Sequence, residues 1–186
     1  RLKERALSRA GITLRPFDFR RLEREARIVY DIFNTAWDEN WGHVPLTKSE
    51  FDRLVEALKL IVAPELSMIA ERDGQPVGMA ITLYDANEAV KQINGRLFPL
   101  GWLRLLRNVK KTGRARQFAL GVLEEYRGRG IEIAMFMSVA DAAHEQRLRE
   151  MEMSLIVETN EPMIEVMRHL PVEPYKTYRI FQKPLA

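Results

Sequence analysis

The sequence predicts an α/β chain built on a mixed sheet, and three observations carry that prediction. Segments of helical and of strand period alternate along the chain in the order β-α-α-β-β-(insert)-β-α-β-α-β. One strand–helix–strand unit, around residues 116–157, forces a crossover and hence a parallel pair. A Gly-rich turn joins strand to helix inside that unit, at Tyr126-Arg127-Gly128-Arg129-Gly130-Ile131.

Residues 1–11 are basic and read as a linker or short helix, an N-terminal extension before a single domain over 12–186. Ile12–Pro16 alternates and stops at proline, which suits an edge strand. Leu22, Ala26, Val29 and Phe33 recur at helical spacing within Phe19–Trp37. Thr47-Lys48-Ser49-Glu50 has the form of a capping box, and Phe51, Leu54, Val55, Leu58 and Ile61 follow as the apolar stripe of the second helix. Strands are expected at Leu66–Glu71 and Pro76–Leu83, with Asp73-Gly74 as a type I′ hairpin turn. The stretch at about 86–112 fits a meander poorly and reads as an insertion ending in an apolar–basic helix around Trp102–Lys110. Strands at Arg116–Val122 and Met153–Val157 flank a helix at Ile131–Arg147. A short helix over Glu161–Leu170 starts with Pro162 in its first turn, and Lys176–Gln182 is the expected closing strand.

Composition narrows the chemistry. The chain has 186 residues, 46% hydrophobic and 30% charged, which suits one folded domain rather than a disordered segment. No apolar run reaches the length of a membrane span. With no Cys there is no disulfide, no thiolate metal site and no cysteine nucleophile. His43, His144 and His169 are scattered outside metal-ligand spacing, so no metal is expected. The net charge of +3 is small, so an anionic partner must meet a local patch. No leader pattern opens the chain, and the expected location is the cytoplasm. The first residue is not Met, so sequence upstream is expected.

In the glycine turn, residues without a Cβ allow positive φ and close approach of a ligand. Consecutive N–H groups, the start of a helix and two arginines together suit an anion. By themselves these residues fit equally a tight turn with solvated arginines.

In its context the stretch Arg127-Gly128-Arg129-Gly130-Ile131-Glu132 resembles the signature turn of the GNAT N-acyltransferase superfamily, Gln/Arg-x-x-Gly-x-Gly/Ala. The likeness covers nearly the whole chain. Asn40-Trp41-Gly42 through Glu158-Thr159-Asn160 also resembles the C-terminal half of bacterial tandem-GNAT proteins. The resemblance implies a twisted, mainly antiparallel sheet flanked by helices. It further implies that acetyl-CoA or another acyl-CoA lays its pyrophosphate on Arg127, Gly128, Arg129, Gly130 and Ile131. The pantetheine arm would run along Ala119–Val122, including Leu120 and Val122, with Asn160 also facing the cofactor. An amine held between two splayed strands would attack the thioester directly, with a backbone N–H on the splayed strand holding the oxyanion.

Two positions depart from that pattern. Glu132 stands where the motif has Gly or Ala, although a shifted frame, Glu125-x-x-Gly128-x-Gly130, recovers both glycines. Met167 stands where a Tyr commonly protonates the leaving thiolate, so that role passes to solvent, to Tyr175 or Tyr178, or to nothing.

Glu158 reads first as a cap on the next helix; near the mouth of the expected cleft, it is also the candidate to take a proton from an ammonium substrate or to bind it. Asn40 and Trp41 lie in the loop that borders the acceptor in this superfamily, and Trp37 suits the core. Arg104, Arg107, Lys110, Lys111, Arg114 and Arg116 form a run without an acid, interleaved with Trp102, Leu103, Leu105 and Leu106. It reads as a solvated face lending positive potential to a cofactor. The rival reading is a non-catalytic CoA-binding or interaction domain whose basic helix meets an anionic surface. The expected partner is a small-molecule amine rather than nucleic acid, with an upstream domain or a homodimer also open.

Overall fold

The computed structural model describes residues 2–38, 43–179, 181 and 183. By their contacts these fall into two compact units, Arg1–Leu155 and Ile156–Ala186. This partition differs from the one unit expected over 12–186.

The first unit holds a five-stranded sheet in the order β1-β2-β3-β4-β5. β1 (Thr13–Pro16), β2 (Met68–Arg72), β3 (Gln75–Tyr84) and β4 (Arg114–Val122) pair antiparallel in sequence. β5 (Glu150–Met153) joins β4 in parallel after the expected crossover helix. The sheet is therefore mixed and mainly antiparallel, as the resemblance implies.

Alternation along β3 divides two layers. Met79, Ile81 and Leu83 face the core shared with α2 (Leu22–Ala36), α3 (Lys48–Leu58) and the residues after it, through Ile28, Val29, Phe33 and Leu58. Tyr84 and Ala115 pack instead with Ala143 of α6 (Ile131–Glu145), on the opposite side. The segment expected as linker or short helix is a helix, α1 (Leu2–Ala10); Lys3 pairs with Asp141 on α6.

Local signals explain the joints. Thr47 Oγ1 accepts from the Glu50 N–H, and Glu50 Oε2 accepts from the Thr47 N–H at 2.9 Å, so the capping box is complete. Asp73 and Gly74 sit at φ 50° and 76°, the left-handed pair that a type I′ turn requires. The insertion is a helical hairpin of α4 (Asn87–Gln92) and α5 (Gly101–Val109). A Cβ on Gly101 would lie 1.8 Å from the Arg96 carbonyl oxygen, so that corner accepts only glycine.

Two expected strands are corrected. The strand expected over Met153–Val157 runs instead over Glu150–Met153. Its acids face basic partners across the parallel register: Arg114 Nε donates to Glu150 at 2.7 Å and Arg116 Nε to Glu152 at 3.0 Å. Charge pairing, rather than an apolar run, fixes this strand, and it removes Arg114 and Arg116 from the supposed acid-free basic run.

The second unit contains α7 (Glu161–Arg168), capped by Asn160 Oδ1, which accepts from the Met163 N–H at 3.2 Å. The closing strand expected over Lys176–Gln182 is not formed by its described residues, 176–179 and 181. Tyr175, Tyr178 and Phe181 stand 66%, 66% and 86% exposed.

Candidate functional site

β4 carries the site, because its two edges behave differently. On the β3 side its pairing runs to Gly78↔Val122. On the β5 side, among the described residues, it stops at Gln117↔Met153. The stretch Phe118–Val122 thus has one paired edge and one beyond the end of the parallel ladder, the arrangement expected for splayed strands.

A β-bulge marks where the two regimes meet. The register passes from Ile81↔Ala119 to Thr82↔Gln117, and Phe118 is the extra residue. Buried Gln117 stabilises the irregularity: its Nε2 donates to the Ile81 and Ala119 carbonyls at 3.0 and 2.9 Å, and its Oε1 lies 3.2 Å from Thr82 Oγ1. The sequence reading missed this residue, since one Gln inside an apolar strand carries no spacing signal.

Beyond Val122 the chain makes a 3₁₀ turn, Glu124–Tyr126, and then the glycine turn. Gly128 and Gly130 adopt φ 71° and 78°, with Gly130 at the N-cap of α6. Only glycine takes this conformation at little cost. Arg127 does not point a free guanidinium at the turn. Its Nε donates to the Val122 carbonyl at 3.1 Å, and its Nη2 to the Ala36 carbonyl at the C-terminal end of α2, at 2.7 Å. A cation there also suits the negative end of the helix dipole. Arg129 lies over the Tyr126 ring at 5.5 Å and donates to the Glu125 carbonyl.

Glu132 occupies the first turn of α6. Burial pushes its carboxyl above the ordinary value of 4.5, while the hydrogen bond from its own backbone N–H and the neighbouring Arg127 pull the other way. Burial dominates, so this carboxylate sits uneasily where an anion is expected.

On the other side of β4 lies an apolar cleft of about 70 Å³ that opens to solvent. Phe17, Phe33, Leu58, Ile81, Phe118 and Ala119 are among its walls, which come from α2, α3, β3 and the bulge. Among the described lining residues only Lys59 is charged, and it pairs with Glu56. The sequence reading assigned these side chains to the core. The cleft is assembled from segments far apart in the chain, and no local motif announces it.

Trp37 stacks on Phe33 at a ring separation of 4.8 Å and covers Gly121, where a Cβ would lie 2.4 Å from the indole. It is a packing residue, as expected. Leu120 and Val122 are buried, 8% and 3% exposed. Asn40 and Trp41 lie outside the described residues. Glu158, Asn160 and Tyr178 belong to the second unit, where the Glu158 carboxylate is exposed and pairs with Arg179 at 3.6 Å.

A mixed sheet with a bulged central strand, a glycine turn opening the following helix and an open strand edge defines the class of CoA-type acyltransferase folds. The chain belongs to the Acetyltransferase (GNAT) family, whose profile matches residues 26–170. It is 36% identical over 183 residues to the protein YghO of Escherichia coli (strain K12). It is 32% identical over 182 residues to the bacterial ceramide synthase of Caulobacter vibrioides (strain NA1000 / CB15N). Each alignment takes in 95% of this chain but 47% of the relative, so the chain spans about half of their length. Among solved structures it is similar to AAC(6')-Iy in complex with a bisubstrate analogue, with a TM-score of 0.59 and 18% identity, over 94% of this chain and 99% of that one.

Proposed function

We propose that the chain transfers an acyl group from acyl-CoA to an amine whose hydrocarbon portion lies in the apolar cleft. The observation that carries this reading is the cleft itself. It reaches Phe118 and Ala119 at the bulge, so a chain lying in it ends beside the strand edge expected to hold the thioester. Its walls without free charge favour hydrocarbon over a polycationic acceptor. One relative is named a ceramide synthase, and a ceramide is the N-acyl derivative of a long-chain amino alcohol.

In this reading the N–H groups of Gly128, Arg129, Gly130 and Ile131 receive the pyrophosphate, and Leu120 and Val122 border the pantetheine arm. A backbone N–H of β4 holds the oxyanion. Glu158 takes the ammonium proton, Tyr178 returns a proton to the thiolate, and Asn160 faces the cofactor. Asn40 and Trp41 border the acceptor. The amine lone pair forms the C–N bond to give the tetrahedral oxyanion; its collapse breaks the C–S bond, the nitrogen sheds its second proton to solvent, and the products are an amide and CoA.

Release of CoA thiol is the test, with a long-chain amino alcohol set against a short polar amine. Turnover restricted to the long-chain acceptor supports the reading; equal kcat/KM for the two overturns it. Glu158→Gln is expected to lower kcat about a hundredfold with CoA affinity unchanged. The buried carboxylate of Glu132 and the presence of Met167 favour a second reading, a domain that binds CoA without catalysis. That reading predicts CoA binding with no thiol release from any amine.

A further inference from the structure

The α4–α5 hairpin is not used by any of this chemistry, and its surface is unusual. At about 100° per residue, Leu105 and Val109 of α5 fall on one arc and are its most enclosed apolar residues. The apolar arc does not stop there. Trp102, Leu106 and Leu103 continue it over about another 100° and are 45%, 40% and 41% exposed. Arg104 and Arg107 take the next sector, both exposed. The loop before α5 adds Leu97, Phe98 and Leu100 at 50%, 88% and 59% exposure. A helix that only packed on its own protein would bury this second apolar arc. Here the arc faces outward beside a row of cations.

Those cations are available. Among the described residues, Lys91, Arg96, Arg104, Arg107, Lys110 and Lys111 form no ion pair. Arg114, by contrast, is held by Glu88 and Glu150. Exposed apolar rings next to unneutralised cations match a surface with acidic headgroups above a hydrocarbon layer. A polyanion without an apolar interior leaves Phe98 and Trp102 in water. The loop is also fixed in place: Gly101 admits the Arg96 carbonyl at its Cα, the Trp102 N–H donates to the Leu97 carbonyl at 3.0 Å, and Asn108 Nδ2 donates to Gln92 at 2.8 Å.

We propose that the α4–α5 hairpin docks on an anionic phospholipid bilayer, with Phe98 and Trp102 entering the interface while Arg104, Arg107 and Lys110 lie among the headgroups. No helix of the described residues is long and apolar enough to cross a membrane, so this is attachment to one face. The hairpin leaves the sheet between β3 and β4, the strands whose Ile81 and Phe118 line the apolar cleft.

Co-sedimentation with vesicles of phosphatidylcholine, with and without phosphatidylglycerol, tests this, with duplex DNA as a competing polyanion. Expected are binding to the anionic vesicles, little to the neutral ones, and a steep loss with added salt. Arg104→Glu with Arg107→Glu should weaken binding at least about thirtyfold, at about fivefold per lost cation. Phe98→Ser with Trp102→Ser should weaken it at least about tenfold. All four positions are exposed, so circular dichroism and Tm are expected to stay unchanged. No binding, equal binding to neutral vesicles, survival of binding in either double variant, or full displacement by DNA each overturns the proposal.

Discussion

The two flanks of β4 are built on opposite plans. The turn from Arg127 to Ile131 is made of five consecutive residues, and its geometry is backbone geometry: φ 71° at Gly128, φ 78° at Gly130 and the first N–H groups of α6. The apolar cleft is made of side chains from α2, α3, β3 and β4, and its backbone is ordinary helix and strand. A site of the first kind is written contiguously and fails abruptly when one residue changes. A site of the second kind is spread over distant segments and is retuned by degrees.

The strongest way to break the contrast is Gly130→Asp. It places a carboxylate at the helix N-terminus and forces a non-glycine residue to φ 78°. The carboxylate, opposing an anion by up to about 2 kcal/mol, lowers CoA affinity about thirtyfold, as calorimetry would read, while the strained backbone lowers Tm. Ala26→Trp, which fills the cleft from α2, should reduce kcat/KM for a long-chain amine about tenfold and change CoA affinity far less, since Arg127 alone carries the strain across. If CoA binding fell equally, the two flanks would not be separate sites.

A smaller effect is expected where the flanks touch. Gly121→Ala drives a methyl to within 2.4 Å of Trp37, and overpacking of about 2 kcal/mol lowers Tm by roughly 4–8 °C. The mildest change is Glu132→Gln. A carboxyl whose value is raised by burial adds stability while protonated and loses it as pH rises through the folded-state value. At pH 7 the carboxylate is therefore a net burden, and the Gln variant should melt about 2 °C higher. That gain shrinks as pH falls through and below the ordinary value of 4.5, and equal gains at pH 7 and pH 4 would show that burial of charge is not the cause.

Legibility followed the same divide. The Thr47–Glu50 box, the Asp73-Gly74 hairpin and the glycine turn depend on neighbours in sequence, and each forms where the residues place it. The strand at Glu150–Met153 escaped because its identity rests on Arg114 and Arg116, 36 residues away. The closing strand expected over Lys176–Gln182 escaped for a related reason, since a segment becomes a strand only where another strand offers a paired edge. The bulge at Phe118 needs Gln117 to satisfy carbonyls on two strands, and the cleft needs side chains from α2, α3, β3 and β4 to converge. Neither has a local signature.

Arg127 has a consequence for how the molecule receives its ligands. One guanidinium ties the last carbonyl of the cleft-wall helix to the last carbonyl of the strand that feeds the turn. A displacement of either end is shared by the other or breaks a hydrogen bond. In the proposed reading, a hydrocarbon chain that spreads α2 from the sheet would load the turn, and a pyrophosphate held there would stiffen the wall through the same strut. The free energy of that coupling is equal in the two directions. Whichever ligand arrives first sets the tension that the second one meets.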